Sequence, residues 1–252
     1  MRAGARAALL AVAVALSGCG GGDGEGSGKP RLTVSAAQSL QAAFDDYGQR
    51  FEAATPRFSF AGSDTLAAQI RQGVKPDVYA AANTQLPEQL HDAGLVERPI
   101  VFASNRLVLA VPAGSGIDGL PELARDGTAL VIGAETVPVG AYTREVLDRL
   151  PADRRRAILA NVRSNEPDVS GVVGKLTQGA ADAGFLYATD VVPVRNRLRV
   201  IELPARLQPR VEYAAAVVKG AEQPEAARAF TAGLRAGAGS TALADAGFLP
   251  AP

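Results

Sequence analysis

Four turns in this chain can each offer unpaired backbone N–H groups at a helix start, two of them beside a serine hydroxyl. The first lies in Ser35-Ala-Ala-Gln-Ser39-Leu-Gln-Ala-Ala-Phe44. There an apolar strand, Leu32-Thr-Val34, runs through small residues into a helical pattern of Leu40, Phe44, Tyr47 and Phe51. Ser39 falls where strand becomes helix. A serine at that place can cap the helix and leave its hydroxyl beside N–H groups that have no intrahelical acceptor. The helix dipole and these donors together favour an anion. Ala61-Gly62-Ser63-Asp64-Thr65 repeats the arrangement ahead of Leu66 and Ile70. Glu135-Thr-Val-Pro138-Val139-Gly140 and Glu166-Pro-Asp168-Val169 are the third and fourth turns. Taken singly, these residues read as ordinary caps and core positions. Taken together, they are expected to converge on one anion.

Other chemistries find little support. A Ser-His-Asp hydrolase would have to use His91, the only histidine, and His91 sits at a helix end in Leu90-His-Asp-Ala-Gly94. No G-x-S-x-G elbow and no phosphate-binding G-x-x-x-x-G-K-[ST] loop occurs. No His/Cys cluster suggests a bound transition metal. An amino-acid ligand would call for an arginine against its carboxylate, and none of the four turns carries one. The expectation is a binding protein with no catalytic residue and no cofactor.

The elements that position these turns belong to a chain of 252 residues, of which 47% are hydrophobic and 5% aromatic, with no Trp. That is ample for cores and poor for stacked-base or sugar platforms. Lys+Arg and Asp+Glu both count 26, so no net field draws nucleic acid. Arg2 and Arg6 precede an apolar run, Ala7 to Leu16, too short to span a bilayer. Leu16-Ser-Gly-Cys19 then resembles the lipobox of bacterial lipoproteins, which implies a signal peptide over residues 1–18 and a lipid on Cys19. Cys19 is the only cysteine, so no internal disulfide forms. Residues 19–30 are a glycine-rich leash. The reading is an extracytoplasmic domain tethered to the cell membrane, beginning near Lys29.

From there strand and helix patterns alternate, which argues for α/β architecture with mostly parallel sheets. Ligands of such sheets lie at the carboxyl ends of strands, near helix N-termini. Leu107 to Val111 is a continuous apolar run, the mark of a strand buried on both faces. Pro112-Ala-Gly-Ser-Gly116 after it reads as a crossing to a second domain. Residues 135–140 read as a loop before a helix from Tyr142 to Leu150, and Tyr213 to Val218 as the strand returning to the first domain. No internal repeat is evident.

The order of motifs carries a resemblance. Ala36-Ala37-Gln38-Ser39-Leu40, Phe60-Ala61-Gly62-Ser63-Asp64-Thr65-Leu66-Ala67, Pro76-Asp77-Val78, Val137-Pro138-Val139-Gly140-x-Tyr142 and Gly184-Phe-Leu-Tyr187-Ala-Thr-Asp190 resemble the molybdate-binding proteins of ABC importers, over about Arg31 to Phe248. The resemblance implies a two-lobed periplasmic-binding-protein (type II) fold, each lobe a mostly parallel sheet flanked by helices, with two crossover strands. Residues 31–111 plus 208–252 would form the first lobe and 112–207 the second. It implies a molybdate or tungstate dianion held in the interlobe cleft, with molybdenum present only inside the oxyanion and no protein ligand to the metal. Ser39 and Ser63 would give hydroxyl and backbone donors, Val139 and Val169 backbone N–H groups, and Tyr187 its phenol. It further implies a monomer that delivers the ion to permease subunits.

Chemistry and resemblance agree on the type of site. A tetrahedral dianion without a proton wants donors only, and hydroxyls, a phenol and N–H groups supply them. The family often has alanine at Val139, but a backbone donor survives that change. It commonly has Gly or Ser at Asp64, where a carboxylate must point away from the anion. The alternative is another tetrahedral oxyanion, sulfate or phosphate, on the same scaffold. Phosphate carries a proton at neutral pH and would need an acceptor, the role that Asp64 keeps open. Asp190 reads as a helix cap or supporting acceptor.

Overall fold

The computed structural model describes residues 28–252. The expected signal peptide, Cys19 and most of the glycine leash lie outside the described residues. Among those described, the chain builds two sheets. The first lobe opens with β1 (Arg31–Ala37), a 3-10 turn at Gln38–Leu40, α1 (Gln41–Arg50), β2 (Thr55–Ala61), α2 (Ser63–Arg71), β3 (Val78–Ala81), α3 (Gln85–Asp92) and β4 (Ile100–Asn105). The second holds β5 (Leu107–Pro112), β6 (Leu130–Gly133), α4 (Pro138–Asp148), α5 (Ala152–Ala160), β7 (Val162–Glu166), α6 (Val169–Thr177), β8 (Ala183–Tyr187), α7 (Ala188–Val191) and β9 (Leu198–Glu202). The chain then returns through β10 (Val211–Val217), α8 (Pro224–Gly233), α9 (Ala238–Asp245) and β11 (Leu249–Pro250).

The sheets run β11-β4-β10-β3-β1-β2 and β7-β6-β8-β5-β9. They are mixed, which corrects the expectation of mostly parallel sheets. Each has a parallel core of three strands, β2-β1-β3 and β7-β6-β8. Beside each core stands a strand that has just crossed between lobes, and a strand arriving from the other lobe enters head-on. Thus β10 is antiparallel to β3 and β4, and β5 is antiparallel to β8 and β9. The two lobes therefore repeat one topology, with β10 and β5 as fourth strands and β4 and β9 as fifth. The sequence hides this repeat because strand pairing needs only a matching apolar pattern, which many residue choices satisfy.

The first crossing also differs from expectation. Leu107–Pro112 is buried on both faces as its composition predicts, but it pairs inside the second sheet. The chain changes lobe at Arg106, between β4 and β5, and Pro112–Gly116 is a turn within the second lobe, with Ser115 N–H on the Pro112 carbonyl. An apolar run reports burial and not which sheet does the burying. The return crossing lies between β9 and β10. One local expectation shifts as well, and one strand has no counterpart in the sequence reading. Helix α4 begins at Pro138, with proline in the first turn where its missing N–H costs nothing. Strand β7, Val-Arg-Ser-Asn-Glu, alternates half-buried and exposed residues at a sheet edge, and carries too little apolar signal to be read from sequence.

One face of the first sheet packs an aromatic core of Phe44, Tyr47, Phe51, Phe58, Phe102 and Phe230. The Tyr47 hydroxyl donates to the Phe230 carbonyl at 3.1 Å. The other face buries Leu66, Ile70, Tyr79 and Leu90 under α2 and α3. Asp77 is buried at the base of this lobe. Its carboxylate accepts from Thr33 N–H (2.7 Å), the Thr33 hydroxyl (2.7 Å) and Gln223 N–H (2.8 Å), so it ties β1 to the start of α8.

Candidate functional site

The carboxyl ends of β1, β2, β3, β6, β7 and β8 face one hollow between the lobes. From the first lobe, Ala37, Gln38 and Ser39, then Ala61, Gly62 and Ser63, then Ala82 line it. From the second come Val137, Pro138 and Val139, then Asp168 and Val169, then Tyr187. All five residues singled out from the sequence therefore meet at one cavity of about 20 Å³. That exceeds the 10–15 Å³ or so that one water requires and leaves no room for a sugar or an amino acid.

Ser39 lies in the 3-10 turn that leads into α1, and its hydroxyl is 2.9 Å from the Tyr213 oxygen. Ser63 is the first residue of α2, nearly fully buried. Its Oγ accepts the Ala82 N–H at 3.1 Å, which leaves the hydroxyl proton free to donate. Val139 lies in the first turn of α4 and Val169 is the first residue of α6, so their N–H groups have no acceptor within the helix. The Asp168 carboxylate caps α6 by accepting from Ser170 N–H (2.8 Å) and Gly171 N–H (3.2 Å), and it also takes the Ser170 hydroxyl. This cap leaves the Val169 N–H to the cavity. Tyr187 ends β8. Its hydroxyl is buried and has no partner among the described residues. An orphaned buried donor costs about 1–3 kcal/mol unless something accepts from it.

The surroundings are as informative. Among the described residues, no lysine or arginine lines the hollow. Among the described residues Asp168 is the only carboxylate lining it, with Oδ1 turned onto its own helix. Asp64 follows Ser63 in α2 but does not line the cavity; its Oδ1 is buried beside Gly62 without a partner. The isopropyl group of Val139 is accommodated by Gly133, where a Cβ would stand 2.6 Å from Val139 Cγ1. Tyr187 packs edge-on against Tyr142 and Tyr213, with ring centroids at 6.5 and 5.8 Å. Burial pushes the phenols of Tyr187 and Tyr213 well above their ordinary pKa, so both remain donors. Asp190 accepts the Tyr187 N–H at 3.0 Å, the supporting place expected of it. Burial raises its pKa to about 8; the Tyr187 N–H opposes that shift and Asp168 adds to it. His91, in the last turn of α3, contacts the Val96 carbonyl and is no part of the site.

Sequence reasoning missed Gly62, Asn105 and Tyr213. Gly62 lies against Pro167 of the other lobe, Tyr213 meets the Ser39 hydroxyl, and Asn105 donates to Thr189 across the lobes. Tyr213 is 174 positions from Ser39, and no local signal links them.

Residues 32–249 match the family of bacterial extracellular solute-binding proteins. The chain is 36% identical over 224 residues to the molybdate-binding protein ModA of Mycobacterium tuberculosis H37Rv, an alignment covering 86% of this chain and 84% of that one. In fold it is similar to the periplasmic molybdate-binding protein of Azotobacter vinelandii (TM-score 0.77, 20% identity, 88% of this chain and 100% of that one). It is likewise similar to the sulfate-binding protein SubI of Mycobacterium tuberculosis H37Rv (TM-score 0.79, 16% identity, 88% and 87%).

Proposed function

The chain belongs to the bacterial extracellular solute-binding protein family, and on that footing we propose that it captures molybdate between its lobes for an ABC importer. It is a binding protein and not an enzyme. The observation that carries the ligand is the orphaned hydroxyl of Tyr187, a residue that lines a small cavity together with Ser39, Ser63 and the first turns of α4 and α6. In this reading the Ser39 and Ser63 hydroxyls, the Val139 and Val169 N–H groups and the Tyr187 phenol replace the hydration shell of one doubly negative ion. Each charge-assisted hydrogen bond contributes about 1.5–3 kcal/mol. Desolvation and closure offset part of the sum. The relative named for molybdate supports the same assignment.

Tungstate, of nearly the same size and charge, is expected to compete, because neutral donors scarcely distinguish the two. Monohydrogen phosphate would bring a proton that hydroxyl and N–H donors do not call for, and Asp168 Oδ1 already accepts from the start of α6. The test is a thermal-shift series with molybdate, tungstate, sulfate, phosphate and chromate. Ligand at about 100-fold over Kd stabilises by about 2.7 kcal/mol. Stabilisation by molybdate and tungstate well above the other ions is the expected result. A larger shift with phosphate or sulfate would reassign the ligand.

The same proposal includes placement. The protein is held at the outer face of the cell membrane by a lipid on Cys19, and the closed lobes present a joint surface to the permease. Membrane fractionation of the Cys19→Ser variant checks the anchor: release from the membrane supports it, and unchanged retention removes it.

A further inference from the structure

We infer that a groove between β1, β2 and the loop after α2 docks the first lobe onto anionic phospholipid headgroups. No residue of this groove lines the cavity. Thr33 and Ser35 of β1 stand in register with Arg57 and Ser59 of β2, so their side chains share one face of the sheet. Val74 and Lys75, in the loop between α2 and β3, complete a groove of about 270 Å³. Among the described residues no carboxylate lines it, and neither Arg57 nor Lys75 joins an ion pair. The buried Asp77 carboxylate, which meets Thr33, is already held by three donors. Two unpaired cations beside serine hydroxyls are donors suited to phosphate oxygens.

Two observations favour a lipid surface over a free ion. Val74 is 50% exposed, an apolar side chain next to a cation. That pairing suits the boundary between headgroups and acyl chains and adds nothing to the capture of a soluble phosphate. The second is where the tether ends. The inference rests here on the Cys19 anchor proposed above. Ten Cα steps lead from Cys19 to Lys29. A chain covers at most about 3.6 Å per residue, so the start of β1 stands no more than about 36 Å from the anchor. Arg31, exposed at that start, adds a cation on the strand that lines the groove. Docking would fix the height and orientation of a lobe that the leash alone leaves free to range. The contact is electrostatic and therefore salt-sensitive and easily released.

The chain has no Trp, so Val74→Trp supplies a single fluorescent reporter in the groove. The lipidated protein carrying it is reconstituted into vesicles with brominated acyl chains, of phosphatidylcholine alone or mixed with phosphatidylglycerol. Retention in the vesicles reports the anchor, and quenching of the Trp reports the groove. Quenching is expected to require phosphatidylglycerol and to fade at high salt. Arg57→Gln together with Lys75→Gln should lower the docking equilibrium about 25-fold, about fivefold per cation, with molybdate affinity unchanged. A Trp placed instead at Leu159, exposed on α5 of the second lobe, should escape quenching. Ser59→Trp serves as the reporter if Val74→Trp does not fold. Equal quenching in both lipids, or quenching unmoved by the double substitution, overturns the docking while the anchor stands. Relief of quenching when inorganic phosphate replaces chloride at constant ionic strength reveals a free-phosphate site and overturns it too. A protein retained by neither kind of vesicle overturns anchor and docking alike.

Discussion

Gly62 of the first lobe stands so close to Pro167 of the second that a Cβ on residue 62 would lie 2.5 Å from the Pro167 carbonyl oxygen. Its own backbone, at φ −58 and ψ 136, would suit any residue. The glycine is therefore required by the other lobe and not by its own turn. Its neighbour Ser63 is a proposed ligand, so the contact that closes the cleft and the contact that holds the ion are adjacent in sequence.

Gly62→Ala follows directly. The open, ligand-free protein should fold with its melting point little changed, because the nearest obstacle in its own lobe is the movable Asp64 side chain at 2.8 Å. Closure should meet the Pro167 carbonyl, and overpacking of that kind costs about 1–3 kcal/mol. Calorimetry is expected to show molybdate bound about tenfold more weakly or worse. Small-angle scattering should show the liganded variant less compact than liganded wild type.

The site hydroxyls should separate by their effects on stability. Ser39→Ala, Ser63→Ala and Tyr187→Phe should each weaken molybdate by about 1–3 kcal/mol. Ser63→Ala also orphans the buried Ala82 N–H and should lower the melting point of the free protein. Tyr187→Phe removes a hydroxyl that has no partner among the described residues, so the free protein should melt no lower than wild type. Wild-type affinity in all three variants would take these side chains out of the site.

Asp190 makes stability and binding depend on pH. Its folded pKa, raised to about 8 chiefly by burial, lies far above the unfolded value near 3.8. The folded state thus holds the extra proton between those values. The stability this gives is fully present below about pH 4 and is lost as pH rises through about 8. Ionisation near pH 8 also places a negative charge beside Tyr187, so molybdate should bind more weakly above that pH. Asp190→Asn keeps an acceptor for the Tyr187 N–H. It should flatten both profiles, measured as melting point and Kd from pH 5 to 9.

Asp77 belongs to the quoted family motifs yet lies at the base of the first lobe, bound by three donors. Asp77→Ala is expected to cost about 2–4 kcal/mol in chemical denaturation, since buried donors lose a charged acceptor. Molybdate affinity of the folded fraction should stay near wild type.

The sequence by itself determined the local features. A serine or a first-turn valine at a helix start, the apolar face of α1 and the lipobox pattern each depend on a few neighbouring residues. The capping roles of Asp168 and Asp190 did too. Such features can be read because helix ends expose the same N–H groups wherever the helix sits. The tertiary structure alone decided that Leu107–Pro112 joins the second sheet, that β5 and β10 run antiparallel to their neighbours, and that Tyr213 reaches Ser39. It also decided that Gly62 faces Pro167. An apolar strand fits more than one sheet, and a glycine without strain in its own turn gives no sign of what it must admit. Only the packing of distant segments settles such choices.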